Sequence, residues 1–195
     1  MEAGSSTMNQ SWRSIFRRFN HFMLLMWRLG LGPWVNFWPA GTGRVMVLVH
    51  TGRKTGIRRY TPVNFAHVGG DVYCAAGFGA RADWYRNIQA HPEVEVWLPD
   101  GWWAGAAEDV TGTGGWVGRL RQVLINSGAV APLFGVQPRA MSDEELLAAC
   151  PDYRLVRIRP TEARTGPGGP GDLAWVWPTA VMVLLPLALG RKRRP

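Results

Sequence analysis

Between residues 11 and 29 the apolar positions Trp12, Ile15, Phe16, Phe19, Phe22, Met23 and Met26 recur every three or four residues. Arg13, Arg17, His21 and Arg28 fall towards the opposite side, so the spacing predicts a basic amphipathic helix. Gly30 and Gly32-Pro33 end it. The period then changes to two. Val45, Val47 and Val49 alternate with Met46, Leu48 and His50, which predicts a strand at about 44–50. The turn residues 51–56 (TGRKTG) lead into a second strand at about 58–68. Gly69-Gly70-Asp71 marks a hairpin into a third strand at about 72–76. Asp83 stands as an N-cap for a short helix, WYRNIQA, which His91-Pro92 stops. Val94, Val96 and Leu98 predict a fourth strand, and Pro99-Asp100-Gly101 turns into a fifth at about 102–110.

Helical spacing returns at 115–127, with Gly128 as C-cap, and Ser142 with Glu145 makes a capping box for a helix at 143–149. Residues 153–159 alternate once more and supply a sixth strand. Short strands joined by tight turns predict a mainly β (α+β) fold, an antiparallel barrel or sandwich with flanking helices. The division read from the chain is a tail and helix at 1–40, a β domain at 41–160, a Gly/Pro linker at 161–172 and a hydrophobic segment with a basic tail at 173–195.

Charge narrows the classes. Lys and Arg number 22 against 14 Asp and Glu, a net charge of +8, but the excess is uneven. Residues 1–60 carry nine basic residues and one acid, residues 61–190 carry nine and thirteen, and Arg191–Arg194 adds four more cations. Cations gathered at two ends and in one motif do not make the spread basic face of a nucleic-acid binder. Two cysteines, Cys74 and Cys150, and four scattered histidines give neither a disulfide framework nor a zinc cage. No metal site is predicted.

Leu173–Gly190 is uncharged for 18 residues, opens on Trp175 and Trp177, and is followed by RKRRP. As a helix it reaches about 27 Å, near the roughly 30 Å hydrocarbon core of a bilayer. The expectation is a C-terminal transmembrane anchor that holds the protein at the cytoplasmic face of the cell membrane. Membrane lipid is then a partner; the basic N-terminal helix has two readings, packing on the body of its own domain or lying in the membrane interface as a second contact.

The chemistry concentrates in Gly52-Arg53-Lys54-Thr55-Gly56-Ile57-Arg58-Arg59-Tyr60-Thr61-Pro62, where four cations fall within seven residues of a turn between strands. Such a turn directs backbone N–H groups and cations at one place, which suits an anion. It also suits a solvated basic hairpin.

The order FNHFMLLMWRLG, VLVHTGRKTGIRRYTPV, GGDVYCAAGFG and DWYRNIQAHPEVEV resembles the deazaflavin-dependent nitroreductase family, also described as coenzyme F-420-dependent quinone reductases. These belong to the split β-barrel flavin/deazaflavin oxidoreductases. The resemblance runs from about Phe19 to Arg159. It implies a split antiparallel barrel and hydride transfer from reduced deazaflavin coenzyme F-420 to a quinone, nitro or enone acceptor. It also implies that Arg53, Lys54, Thr55 and Arg59 face the coenzyme's phosphodiester and acidic tail, while Thr61, Pro62 and Asn64 line its groove. Ala75, Ala76, Gly77 and Phe78 run beside the ring, and Trp84 and Asn87 close it. Gly77-Phe78 stands where some relatives have Ser-Lys, and the tyrosines that some relatives place near the C-terminus to shape the substrate pocket have no clear match, Tyr153 being the only late tyrosine. No catalytic residue is named.

Two other readings stay open: a split barrel that uses FMN, and a non-catalytic membrane-associated protein that binds lipid or quinone. FMN, with its shorter anionic end, needs fewer cations than this turn offers. A homo-oligomer is open too.

Overall fold

The computed structural model describes residues 18–37, 41 and 43–191. Among them, six antiparallel strands close a barrel in the order β1-β2-β3-β6-β5-β4. They are β1 (Val45–Thr51), β2 (Arg58–Val68), β3 (Asp71–Ala76), β4 (Glu93–Leu98), β5 (Gly101–Asp109) and β6 (Arg154–Ala163). Alternation left an antiparallel barrel or sandwich open, and the barrel that the resemblance implies is the fold observed. The helices are α1 (18–28), α2 (Gly32–Val35), α3 (Asp83–Ala90), α4 (Trp116–Asn126), α5 (Val130–Leu133), α6 (Asp143–Ala149) and α7 (Val176–Arg191).

Alternation along β1 shows how the barrel is filled. Met46 and Leu48 enter the interior cluster with Phe65, Val72, Cys74, Val96, Val156 and Ile158. Each such side chain contributes roughly 1.5–3 kcal/mol by leaving water. Val47 and Val49 point outwards, yet they are also buried, because Trp27 of α1 and Trp97 cover them. A strand covered on both faces reads as a continuous apolar run. His50 is the next inward position after Leu48, so the same alternation brings one polar residue to the end of the apolar row.

The third cluster lies outside the barrel. Leu120, Val123 and Leu124 of α4, Ala131 of α5 and Leu146 of α6 pack on Ala66, Tyr73 and Leu155. The capping box at the start of α6 forms as predicted: the Glu145 N–H donates to Ser142 Oγ (3.2 Å), and Ser142 N–H donates to the Glu145 carboxylate (2.7 Å). Both cysteines are buried and free, and burial pushes the Cys74 thiol up to about 12.

Four expectations need correction. The N-cap of α3 is Ala82, and Asp83 is the first helical residue, where its charge still suits the helix N-terminus. In α1 the deepest side chains are Met23 and Trp27, while Phe19 and Phe22 are exposed; the face is turned by about one position from the one predicted, and Trp12, Ile15 and Phe16 lie outside the described residues. The N-terminal helix ends before Gly30 as predicted, but Gly32-Pro33, read only as part of that stop, opens a short separate helix with Pro33 in the first turn of α2. Asn36 follows it and exchanges two hydrogen bonds with the Val45 backbone, tying α2 to the start of β1.

The fourth correction concerns the membrane anchor. No helix among the described residues is long and apolar enough to cross a membrane. The predicted span is shortened at its start. Gly171 and Leu173 N–H groups donate to the Trp27 and Arg28 carbonyls, and Asp172 pairs with Arg28 at 2.8 Å. Trp177 donates its indole N–H to the Leu29 carbonyl. Residues up to Trp175 are therefore held in turns against the end of α1, and α7 begins at Val176 and has 16 residues. At 1.5 Å per residue it reaches only about 24 Å. The C-terminal anchor, the membrane-face location and the lipid partner that followed from it fall with this.

Candidate functional site

The β1–β2 turn is closed by its own backbone. Gly52 N–H donates to the Ile57 carbonyl (2.9 Å), and the Gly56 N–H returns a bond to the Gly52 carbonyl (2.8 Å). Gly56 takes φ +65°, a left-handed conformation that a glycine adopts without strain. The four cations of the motif then part company. Arg58 turns outwards to the Glu95 carboxylate, over the rings of Tyr60 and Trp102. Arg53 turns towards α3 and donates to Asp83 (3.1 Å) and to Asn87 Oδ1 (2.9 Å). Lys54 and Arg59 are exposed and make no ion pair among the described residues. Two cations are neutralised by the protein, and two are left exposed without an ion pair among the described residues.

Behind them lies a polar group in which His50 and Asn87 are buried and Thr61 is half-buried. Asn87 Oδ1 accepts both the Arg53 backbone N–H (3.1 Å) and its guanidinium. The Asn87 amide nitrogen is 3.2 Å from His50 Nδ1, and His50 Nε2 is 3.0 Å from Thr61 Oγ1. His50 and Asn87 are each 3% exposed. Burial, and secondarily the charge of Arg59, lowers the imidazole from 6.5 to about 4, so it is neutral at physiological pH.

A cleft of about 560 Å³ opens beside these residues, within the roughly 300–1,000 Å³ of small-molecule sites. One wall comes from β1, β2 and α3: His50, Arg59, Thr61, Asn64, Asp83 and Asn87. Pro62, Ala75, Gly77, Phe78 and Trp84 form its apolar floor and rim. The opposite wall is helical, with Val123 and Leu124 from α4, Ser127, and Val130, Ala131 and Phe134 at α5. Tyr153 faces Gly77, close enough that a Cβ on the glycine would lie 3.3 Å from the phenol. Asn20 of α1 also reaches the cleft.

Of the thirteen residues named from sequence, nine line this cleft: Arg59, Thr61, Pro62, Asn64, Ala75, Gly77, Phe78, Trp84 and Asn87. Trp84 also packs on the barrel interior and stands edge-on to Tyr85. Four do not line it. Ala76 is buried in the interior cluster. Arg53 acts on the cleft through Asn87 and Asp83. Thr55 accepts the Ile57 N–H within the turn (3.4 Å), and Lys54 is exposed in that same turn. A second cavity of about 550 Å³, beside Arg44, Arg139 and the end of α4, contains none of the thirteen.

Sequence reasoning missed His50, although its place at the inward end of the β1 row was a signal. It also missed the helical wall. Val123, Leu124, Val130 and Ala131 read as ordinary apolar helix positions, and only the packing of α4 and α5 brings them to the cleft.

A closed antiparallel barrel with a cationic hairpin beside a slot of apolar and neutral groups has the split-barrel architecture. The chain belongs to the F-420H(2)-dependent quinone reductase family, whose model matches residues 29–129. Solved structures to which it is similar include a conserved hypothetical protein from Mycobacterium tuberculosis, with 19% identity, 69% of this chain and 80% of that one covered, and a TM-score of 0.48. An F-420 reductase shares 19% identity over 66% of this chain and 94% of its own, with a TM-score of 0.42. An F-420-H2 dependent reductase shares 22% over 59% and 92%, with a TM-score of 0.41. Likenesses of this size carry no weight for activity; the family match does. Coenzyme F-420 is the cofactor that membership brings, and the residues fit it: Arg59 on the cleft lining and Lys54 exposed in the adjoining turn for an anionic tail, and a slot with apolar sides for a flat ring.

Proposed function

We propose that this protein transfers a hydride from reduced deazaflavin coenzyme F-420 to a quinone, nitro or enone acceptor. The observation that carries the reading is the separation of charge within one cleft. Among the described residues Arg59 makes no ion pair on the cleft lining and Lys54 makes none in the adjoining turn, while Asp83, the other ionised residue of the lining, lies exposed at the rim and is paired by Arg53. A coenzyme with an acidic tail and a neutral ring matches that separation.

In this reading Lys54 and Arg59 anchor the tail through charge-assisted hydrogen bonds. Pro62, Ala75, Gly77 and Phe78 run beside the ring, and Trp84 limits its tilt. Thr61, Asn64 and Asn87 offer polar atoms to the ring edge. Bound there, the reduced deazaflavin supplies the hydride, and orientation and water exclusion are the protein's part. The wall of Val123, Leu124, Val130 and Ala131 sits opposite the polar side, where an apolar acceptor is shielded from water. The unit responsible is the barrel, read from sequence as residues 41–160 and closed by β6 up to Ala163, with α4 and α5 within it.

The test uses the purified full chain, titrated in parallel with oxidised F-420 and with FMN and followed by absorbance and fluorescence quenching. Saturable F-420 binding, with FMN at least tenfold weaker, is expected. Reduced F-420 should then be reoxidised on adding a naphthoquinone, a nitroaromatic or a cyclic enone. Tighter binding of FMN assigns the barrel to flavin, and tight F-420 binding without turnover on any acceptor removes the enzymatic half of the reading.

A further inference from the structure

Arg53, Asn87, His50 and Thr61 are joined by hydrogen bonds whose directions can be worked out one after another. The backbone N–H and guanidinium of Arg53 both meet the same oxygen of Asn87, at 3.1 and 2.9 Å. Both groups are donors only, so the amide oxygen of Asn87 must face Arg53 and its NH2 must face His50. That NH2 lies 3.2 Å from Nδ1, and it can only donate. Nδ1 therefore presents a lone pair. A neutral imidazole has one proton, which is then on Nε2 and is donated to Thr61 Oγ1 over 3.0 Å. The Thr61 oxygen is committed as an acceptor, and its own hydrogen is left over. Among the described residues no group accepts that hydrogen, and Thr61 lines the cleft.

We propose that Arg53, Asn87 and His50 are positioning residues that present the Thr61 hydroxyl as a fixed hydrogen-bond donor to a lone pair of the molecule in the cleft, a ring nitrogen or a carbonyl oxygen. The identity of that molecule as F-420 rests on the preceding functional reading; the direction of the relay does not. A threonine hydroxyl alone can rotate to donate or to accept. Here the choice is made one residue back, by an imidazole whose tautomer is set by an arginine 34 positions from the asparagine in sequence. The group also explains why Arg53, the first cation of the turn, faces α3 instead of the mouth.

The direct test is long-range proton–nitrogen NMR of the His50 imidazole in the full chain near neutral pH, with no ligand added. A protonated Nε2 with a bare Nδ1 is expected, and the opposite tautomer overturns the relay. The second arm measures F-420 affinity of Thr61→Ser and Thr61→Val. The serine, which keeps the hydroxyl, should bind within about twofold of wild type, and the valine about three- to tenfold more weakly. Equal affinities of the two variants overturn the donor role of Thr61. A wild-type chain that binds no F-420 overturns the functional reading instead, while the tautomer, read without ligand or substitution, still decides the relay.

Discussion

The two walls of the cleft are built by different means. On one side, residues 50–64 and 83–87 form a hairpin and a short helix, and hydrogen bonds fix nearly every polar group. Arg53 holds Asn87, Asn87 holds His50, and His50 holds Thr61. On the other side Val123, Leu124, Val130 and Ala131 present apolar side chains, and Val123, Leu124 and Ala131 pack on the outer face of the barrel. The polar wall has charge and direction, so it suits the recognition of an anion and of defined lone pairs. The apolar wall has shape and no direction, so it suits a range of flat acceptors. Substitutions on the two walls should act on different ligands and add nearly independently where they share no partner.

The largest expected effect breaks the polar wall. Replacing both Lys54 and Arg59 with Ala should weaken F-420 binding by about a hundredfold or more, since each loses a charge-assisted contact worth roughly 1.5–3 kcal/mol. Raising salt should weaken wild-type binding and hardly affect the double variant. Isothermal titration at two ionic strengths checks both statements. An affinity unchanged by the substitutions removes these cations from the site.

Next in size is a pH effect confined to the same wall. His50 is held at about 4 in the folded protein, against 6.5 when unfolded. Between those values the unfolded chain takes up a proton and the folded one does not. The stability contributed by neutral His50 is thus complete above about pH 6.5 and declines as pH falls towards 4, by at most about 3 kcal/mol. Urea midpoints at pH 7.5 and 4.5 should differ more for wild type than for His50→Gln, with the carboxylate contribution common to both. Equal slopes would show that His50 is protonated without cost.

The contrast between the walls is also a contrast in what could be read from sequence. Strand alternation, the turn chemistry of 52–56 and the capping box are local, and each appears in the structure near its predicted residues. The polar wall inherits that locality, because β1, its turn and β2 are consecutive. Arg53 shows where locality ends: four adjacent cations look equivalent in sequence, and only the arrival of Asp83 and Glu95 from other elements separates the paired from the free. The helical wall had no local sign at all. Its residues satisfy the spacing of any amphipathic helix, and their second role is created by tertiary packing. The C-terminal segment failed for a related reason. Hydropathy from Leu173 suggested one long helix, but Asp172 and the backbone groups of residues 171 and 173 bind to the end of α1 and delay the helix start to Val176.

A charge placed on the apolar wall should sharpen the division. Val130→Lys puts an ammonium group beside Ala131 and Phe134, facing the cleft. The KM for an apolar naphthoquinone should rise by about tenfold, the cost of offering a polar neighbour where an apolar one stood. F-420 affinity, measured by direct titration, should stay within about twofold. A parallel loss of both would mean that the walls are not separable and that the coenzyme reaches the helices.

The smallest effect separates the charge of Arg59 from its position. A Cβ added to Gly52 would lie 2.9 Å from Arg59 Nε, 3.1 Å from Thr55 Oγ1 and 3.2 Å from the Ile57 carbonyl. The first distance is too short, so something must move. The turn backbone is held by the bond from Gly52 N–H to the Ile57 carbonyl, whereas the guanidinium is the far end of a flexible chain. Arg59 should therefore yield, by a few tenths of an ångström, and the turn should persist. Gly52→Ala is expected to weaken F-420 binding by about two- to fivefold, the loss of part of one hydrogen bond. The salt dependence should stay that of wild type, because no charge is removed. Affinity and its salt slope, compared with Arg59→Ala, decide the point. A loss as large as that of Arg59→Ala would make the aim of the guanidinium the whole of its contribution, and no loss at all would mean that Arg59 supplies only a diffuse positive field at the mouth.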